Sequence, residues 1–267
     1  MTHINIIEKI KSEYPKNGFQ KTANIIGISL YNLKKIIKDN EIILSDKERR
    51  VEFSNFEDIN KKEVAYFLGF LWSDGYIDRN EIALSIKSDD SVTILNILNT
   101  FGKWRINYRI RKLNGKDFKQ ACIRVNDKKI KDFLLENDYG NKSLNTPSKI
   151  LSKIPDNLKS YFFRGLIDGD GCFCSKNRSY FSITGTIEQD WLEIDNLLKN
   201  LGIKYTLTKK ERKSGNSSYV VISSKKDITT LGNYIYGINF DNIGLNRKYI
   251  IYKEIIDKPI SKYSRYN

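Results

Sequence analysis

Phe163-Arg164-Gly165-Leu166-Ile167-Asp168-Gly169-Asp170-Gly171 decides the reading of this chain, because a second copy precedes it. That copy is Phe67-Leu68-Gly69-Phe70-Leu71-Trp72-Ser73-Asp74-Gly75. One offset superposes Gly69 on Gly165, Asp74 on Asp170 and Gly75 on Gly171. Each copy closes an apolar run long enough for about two to three helical turns. Small residues recur four apart, at Ala65, Gly69 and Ser73 and again at Gly165 and Gly169. Residues so spaced share a helix face. A helical glycine costs roughly 0.5–1 kcal/mol relative to alanine, a cost offset where two backbones approach closely. Two helices crossing at Gly69, Gly165 and Gly169 are therefore expected, related by a pseudo-twofold axis. Gly75 and Gly171 are expected as left-handed caps. Each aspartate then falls on a last turn, where the helix dipole disfavours a bare carboxylate and favours a cation bound to it.

The second copy resembles the motif that names the LAGLIDADG homing endonucleases, matching six of its nine letters, and the first matches three. The resemblance spans roughly residues 60–255. It implies an α+β fold: two pseudo-symmetric αββαββα halves with antiparallel, saddle-like sheets around a central helix pair, in a monomer. It further implies cleavage of both strands of a long DNA site, with short 3′ overhangs, at two scissile phosphates facing each other across the minor groove. Arg164 stands where the motif has Ala, and Trp72-Ser73 replaces its Asp-Ala.

Phosphodiester hydrolysis needs an activated water and a counter-charge for the leaving oxygen, both of which bound divalent ions supply. Mg²⁺ takes hard carboxylate oxygens and keeps several waters. Asp74 and Asp170 offer one such ligand each, for two or three Mg²⁺ ions, with Mn²⁺ as a substitute. The family also places a basic residue near each metal. Lys128 and Lys225 occupy matched places before the last helix of each repeat, with Lys129 and Lys226 as alternatives.

Composition narrows the field. The chain of 267 residues carries 46 Lys and Arg against 32 Asp and Glu, a net charge of +14 that calls for a polyanionic partner. Its one histidine, His3, is terminal, so histidine-base and Cys/His-zinc nuclease chemistries have nothing to work with. Cys122, Cys172 and Cys174 are an odd set without zinc spacing, which fits a reducing compartment. The absence of a signal pattern and of any membrane-length apolar run fits an intracellular protein of the cytoplasm, nucleoid or an organellar matrix.

In order, residues 1–45 read as a helix-turn-helix-like DNA-binding module. A helix over 4–14 stops before Pro15, and two short helices follow, broken at Gly27, with Ser29 as N-cap. Lys34 and Lys35, with Lys38, then touch phosphates. Residues 46–60 form a charged linker, 61–137 the first repeat, 138–157 a connector, 158–257 the second repeat and 258–267 a tail. Strand 104–111 alternates Trp104, Ile106, Tyr108 and Ile110 against Arg105, Asn107, Arg109 and Arg111. One face is expected to be buried and the other to enter the DNA major groove as a basic ribbon. Arg105, Arg109, Arg111, Lys119 and Arg124 on the first ribbon, and Lys204, Lys209 and Arg212 on the second, are the expected DNA contacts. Two other functions fit the same pattern: an RNA maturase binding a folded intron, and a transcription regulator joining a degenerate LAGLIDADG domain to a helix-turn-helix. The first would not need metal at the aspartates, and regulators of that kind tend to lose them.

Overall fold

The computed structural model describes residues 3–44, 58–79, 81–100, 102, 104–113, 115–176, 178–211, 215–237 and 240–259. The chain forms two compact units, Met1–Val51 and Glu52–Asn267. Most of the expected 46–60 linker lies outside the described residues.

In the first unit, α1 (His3–Ile26) runs through Pro15 and breaks at Gly18, whose φ of 66° no helix accommodates. The expected stop before Pro15 is therefore displaced to Gly18. After Gly27, at φ 76°, α2 (Leu30–Asp39) starts from Ser29, whose hydroxyl accepts the Asn32 amide at 3.1 Å. Ile10, Ala23, Ile26, Leu33 and Ile42 make the small core.

The second unit is an α+β body with two four-stranded antiparallel sheets. Helix α3 (Lys62–Asp74) is apolar on all sides and buries every residue from Val64 to Trp72, as a helix at the centre of a core must. It runs into β1 (Gly75–Asp78), β2 (Glu81–Lys87), α4 (Ser91–Leu98), β3 (Arg105–Leu113), β4 (Lys116–Asn126) and α5 (Lys128–Glu136). After a short helix α6 (Ser148–Leu151) the order repeats: α7 (Lys159–Asp170), β5 (Gly171–Cys174), β6 (Tyr180–Gly185), α8 (Leu192–Asn200), β7 (Thr206–Lys210), β8 (Ser217–Ile222) and α9 (Lys225–Tyr236). The strand orders, β1-β2-β4-β3 and β5-β6-β8-β7, match. One extra helix, α10 (Asn246–Asp257), closes the body. One continuous core joins both halves. Its largest fully buried side chains, Tyr66, Phe67, Phe70 and Phe162 among them, contribute roughly 2–3 kcal/mol each by burial.

The two central helices touch backbone to backbone. A Cβ on Gly69 would lie 1.8 Å from the Phe162 carbonyl oxygen, and one on Gly165 would lie 1.9 Å from that of Tyr66. These contacts are reciprocal, since Phe162 and Tyr66 are themselves related by the repeat offset. A Cβ on Gly169 would strike the Ser73 hydroxyl at 1.8 Å. Ser73 and Gly169 are also repeat mates, so the pseudo-twofold axis passes between them. Gly75 and Gly171 are not left-handed caps. Their φ values of −75° and −80° are extended, because each helix passes directly into a strand. Glycine is required there for space: a Cβ would meet the Leu71 or Ile167 carbonyl at 2.6 Å.

Candidate functional site

Asp74 and Asp170 end α3 and α7, so the glycine crossing brings the two helix feet together. An ideal Cβ on Gly169 would stand 3.4 Å from the Asp74 carboxylate. Each aspartate also acts on its surroundings through charge. Asp170 is pushed up to about 6, first by burial against the helix feet and then by the charge of Asp74, although its side chain reaches solvent at the surface. Burial likewise raises Asp74. Among the described residues neither carboxylate accepts a hydrogen bond or forms an ion pair.

Asp168 is the opposite case. It is fully buried and accepts hydrogen bonds from Tyr66 Oη at 2.9 Å and the Leu245 amide at 2.7 Å. Because Tyr66 belongs to α3, this bond ties the two central helices together. Arg164, 3% exposed, donates to the Ile235 and Ile243 carbonyls and to Asp241 at 2.7 Å. The departure from the motif at that position thus docks the segment that leads into α10.

Two lysines complete the site. Lys142 Nζ donates to the carbonyls of Leu71 at 2.8 Å, Ser73 at 3.0 Å and Gly75. Lys248 Nζ donates to those of Ile167 at 2.9 Å, Asp168, and Gly171 at 2.6 Å. Each lysine caps the negative end of one acid-bearing helix and satisfies carbonyls that the helix leaves unpaired. Burial lowers both, Lys142 to about 8, while the aspartates pull them back up. Both lysines in turn lower Asp74 and Asp170.

The expected pair is elsewhere. Lys128 is exposed at the start of α5, and Lys225 Nζ reaches the Lys258 carbonyl. Gly75 is in register with Leu84 and Ile123, and Gly171 with Ile183 and Val220. Lys128 and Lys225 each lie five residues beyond those positions, past the ends of β4 and β8 at the starts of α5 and α9. The alternatives Lys129 and Lys226 lie one residue further. A buried lysine on the apolar stripe Lys248-Tyr252-Ile255 of α10 was the signal that could have located Lys248. Lys142 left none, in an irregular connector.

Strand register sorts the basic residues. The outer face of the first sheet, away from the helices, carries Arg105 and Arg124 as a cross-strand pair, Arg109 beside Gln120, and Arg111 beside Phe118. Lys119 is a correction: it pairs with Ile110 and shares its face, on the helix side. Lys209, on the side of Leu207, is another, and Lys210 takes the outer position. Lys204 is exposed just before β7, and Arg212 lies outside the described residues. Tyr108 and Ile110 are also not buried as expected, at 62% and 64% exposed. β2 ends opposite Gln120, so β3 and β4 continue past it as a two-stranded ribbon. On α2, Tyr31, Asn32, Lys34, Lys35 and Lys38 are exposed, with Lys34 over the Phe19 ring.

The two free carboxylates fit a hard divalent ion. Among the described residues no cluster of three or more His, Cys, Asp or Glu exists.

Comparison with known proteins agrees with this architecture. Residues 157–236 match the family model of the LAGLIDADG-like domain. The homing endonuclease I-WcaI bound to its DNA recognition sequence shares the fold, with a TM-score of 0.50 at 15% identity, over 80% of this chain and 92% of that one. I-DmoI in complex with DNA and Mn aligns at 18% identity and a TM-score of 0.43, over 65% of this chain and 96% of that one. Full-length DUF199/WhiA from Thermatoga maritima aligns at 17% identity and a TM-score of 0.43, over 80% and 69%. No curated protein matches the chain. Residues 157–236 match the LAGLIDADG-like domain, and the body that contains them has the LAGLIDADG fold, with two halves of like topology joined at their glycine-lined helices.

Proposed function

We propose that this protein is a site-specific endonuclease that cuts both strands of a long double-stranded DNA site with the help of divalent ions. The observation that carries the reading is the pair Asp74 and Asp170: adjacent, unpaired with any described protein donor, and held at the feet of two helices whose backbones touch. A carboxylate kept only to end a helix would be capped or hydrogen-bonded, as Asp168 is.

Asp74 and Asp170 would hold Mg²⁺ or Mn²⁺, which when bound supplies an activated water and neutralises the leaving oxygen. Lys142 and Lys248 fix the acid-bearing turns by gripping their carbonyls, and they keep the site's charge close to neutral before the ions arrive. The outer sheet faces carry the duplex, in keeping with the chain's net charge of +14. The exposed Lys35 and Lys38 of α2 add contacts to phosphates. Duplication of the site in one chain lets a monomer address both strands. Incubation with a randomised plasmid library and Mg²⁺, followed by sequencing of the ends, tests the reading. Recurrent double-strand ends at one long sequence, absent for Asp170→Asn, are expected. Cutting that survives in Asp170→Asn overturns the assignment.

A further inference from the structure

Although the fold repeats, the outer faces of its two sheets carry different chemistry. The first bears Arg105, Arg109, Arg111 and Arg124. The same face of the second bears Ser182 and Thr184 on β6, Tyr219 and Val221 on β8, and Thr206 and Thr208 on β7. Among the described strand residues of that face the charged one is Lys210, which lies over the Tyr219 ring at 5.5 Å. We propose that the recognised DNA is correspondingly unequal: the half under the first sheet carries guanines, and the half under the second is A·T-rich. This deepens the nuclease reading and rests on it.

Arginine forks match the O6 and N7 acceptors of guanine, the commonest specific contact in the major groove. Here the forks are already oriented. Glu81 accepts Arg105 at 3.1 Å and Arg124 at 3.2 Å, and Gln120 accepts Arg109 at 3.2 Å. Guanidinium groups held in place lose less freedom on binding. Glu81 also separates base reading from simple phosphate clamping, because a carboxylate amid the arginines repels a phosphate. It opposes an uncharged base edge far less. On the second sheet, the threonine methyls and Val221 suit the thymine methyl, and the hydroxyls bond to either base. With one lysine and no arginine fork among its described strand residues, that face holds guanine less firmly than the first.

The test is selection of bound duplexes from a randomised pool by the intact chain, with Ca²⁺ in place of Mg²⁺, repeated with Arg109→Lys and Thr208→Ala. The expected site has guanine preference concentrated in one half. Arg109→Lys should relax it at one position there by roughly 10- to 100-fold and leave the other half unchanged. Thr208→Ala should alter only the A·T-rich half. Guanine preference shared equally by both halves, or moved by Thr208→Ala instead, overturns this inference alone. Recovery of no duplex overturns it together with the nuclease reading.

Discussion

Lys142 and Lys248 perform one task from unrelated places in the chain. Each grips the carbonyls that end an acid-bearing helix, but Lys142 comes from an irregular connector and Lys248 from a regular helix that has no counterpart in the first half. What is duplicated, then, is the geometry at the helix foot and not the segment that caps it. A helix that ends in a carboxylate concentrates negative charge, and a buried ammonium is the compact way to offset it. Any segment able to deliver one there will serve.

Four experiments break or sharpen that comparison. The largest effect should come from the acids themselves. Asp74→Asn and Asp170→Asn should each lower double-strand cutting on the order of a thousandfold or more with duplex binding retained in a mobility-shift assay. If one variant cuts normally, the two feet are not equivalent. Next, Gly165→Leu forces side-chain atoms into the Tyr66 carbonyl and should cost at least about 3 kcal/mol in denaturant unfolding. An unchanged midpoint would show that the crossing tolerates separation. Lys248→Met should cost about 3 kcal/mol and Lys142→Met about 2 kcal/mol, because the buried carbonyls lose charged donors and Lys248 is the more enclosed of the two. Equal losses would mean that α10 adds nothing beyond its lysine.

The smallest effect is in pH. Asp170, held near 6 in the fold, titrates lower in the unfolded chain, at about 3.9. Between those values the native state holds the extra proton, so metal-free stability should fall as pH rises from about 4 to 6. Mg²⁺ affinity should fall as pH drops through about 6, since the ion displaces that proton. A melting temperature at neutral pH without metal that is higher for Asp170→Asn than for the parent would bear this out. A lower one would show that the charge is already compensated.

Much of this was legible beforehand. Glycines at i and i+4 before an acid can be read directly as a helix crossing, because close backbone approach excludes other residues. The strand character of 104–111 followed from its alternating periodicity. The lysines were missed because their partners are carbonyls, which no sequence pattern displays. Tyr108 and Ile110 misled because alternation reports only which residues share a face: Ile110 lies on the ribbon past the end of β2, and Tyr108, level with the last residues of β2, reaches with its hydroxyl to Ser91 at 3.3 Å. Gly75 and Gly171 look like caps in sequence, yet their glycines answer to crowding and not to φ.

The Arg247–Asp90 pair, with two contacts of 2.8 Å, fastens α10 to the opposite half. That helix also bears Lys248, which caps the foot of α7. A nascent polypeptide that has not yet emitted residue 246 already owns both acids and both sheets, but not the clasp. Until residues 246–257 have been made, the carbonyls at the foot of α7 therefore wait for their ammonium.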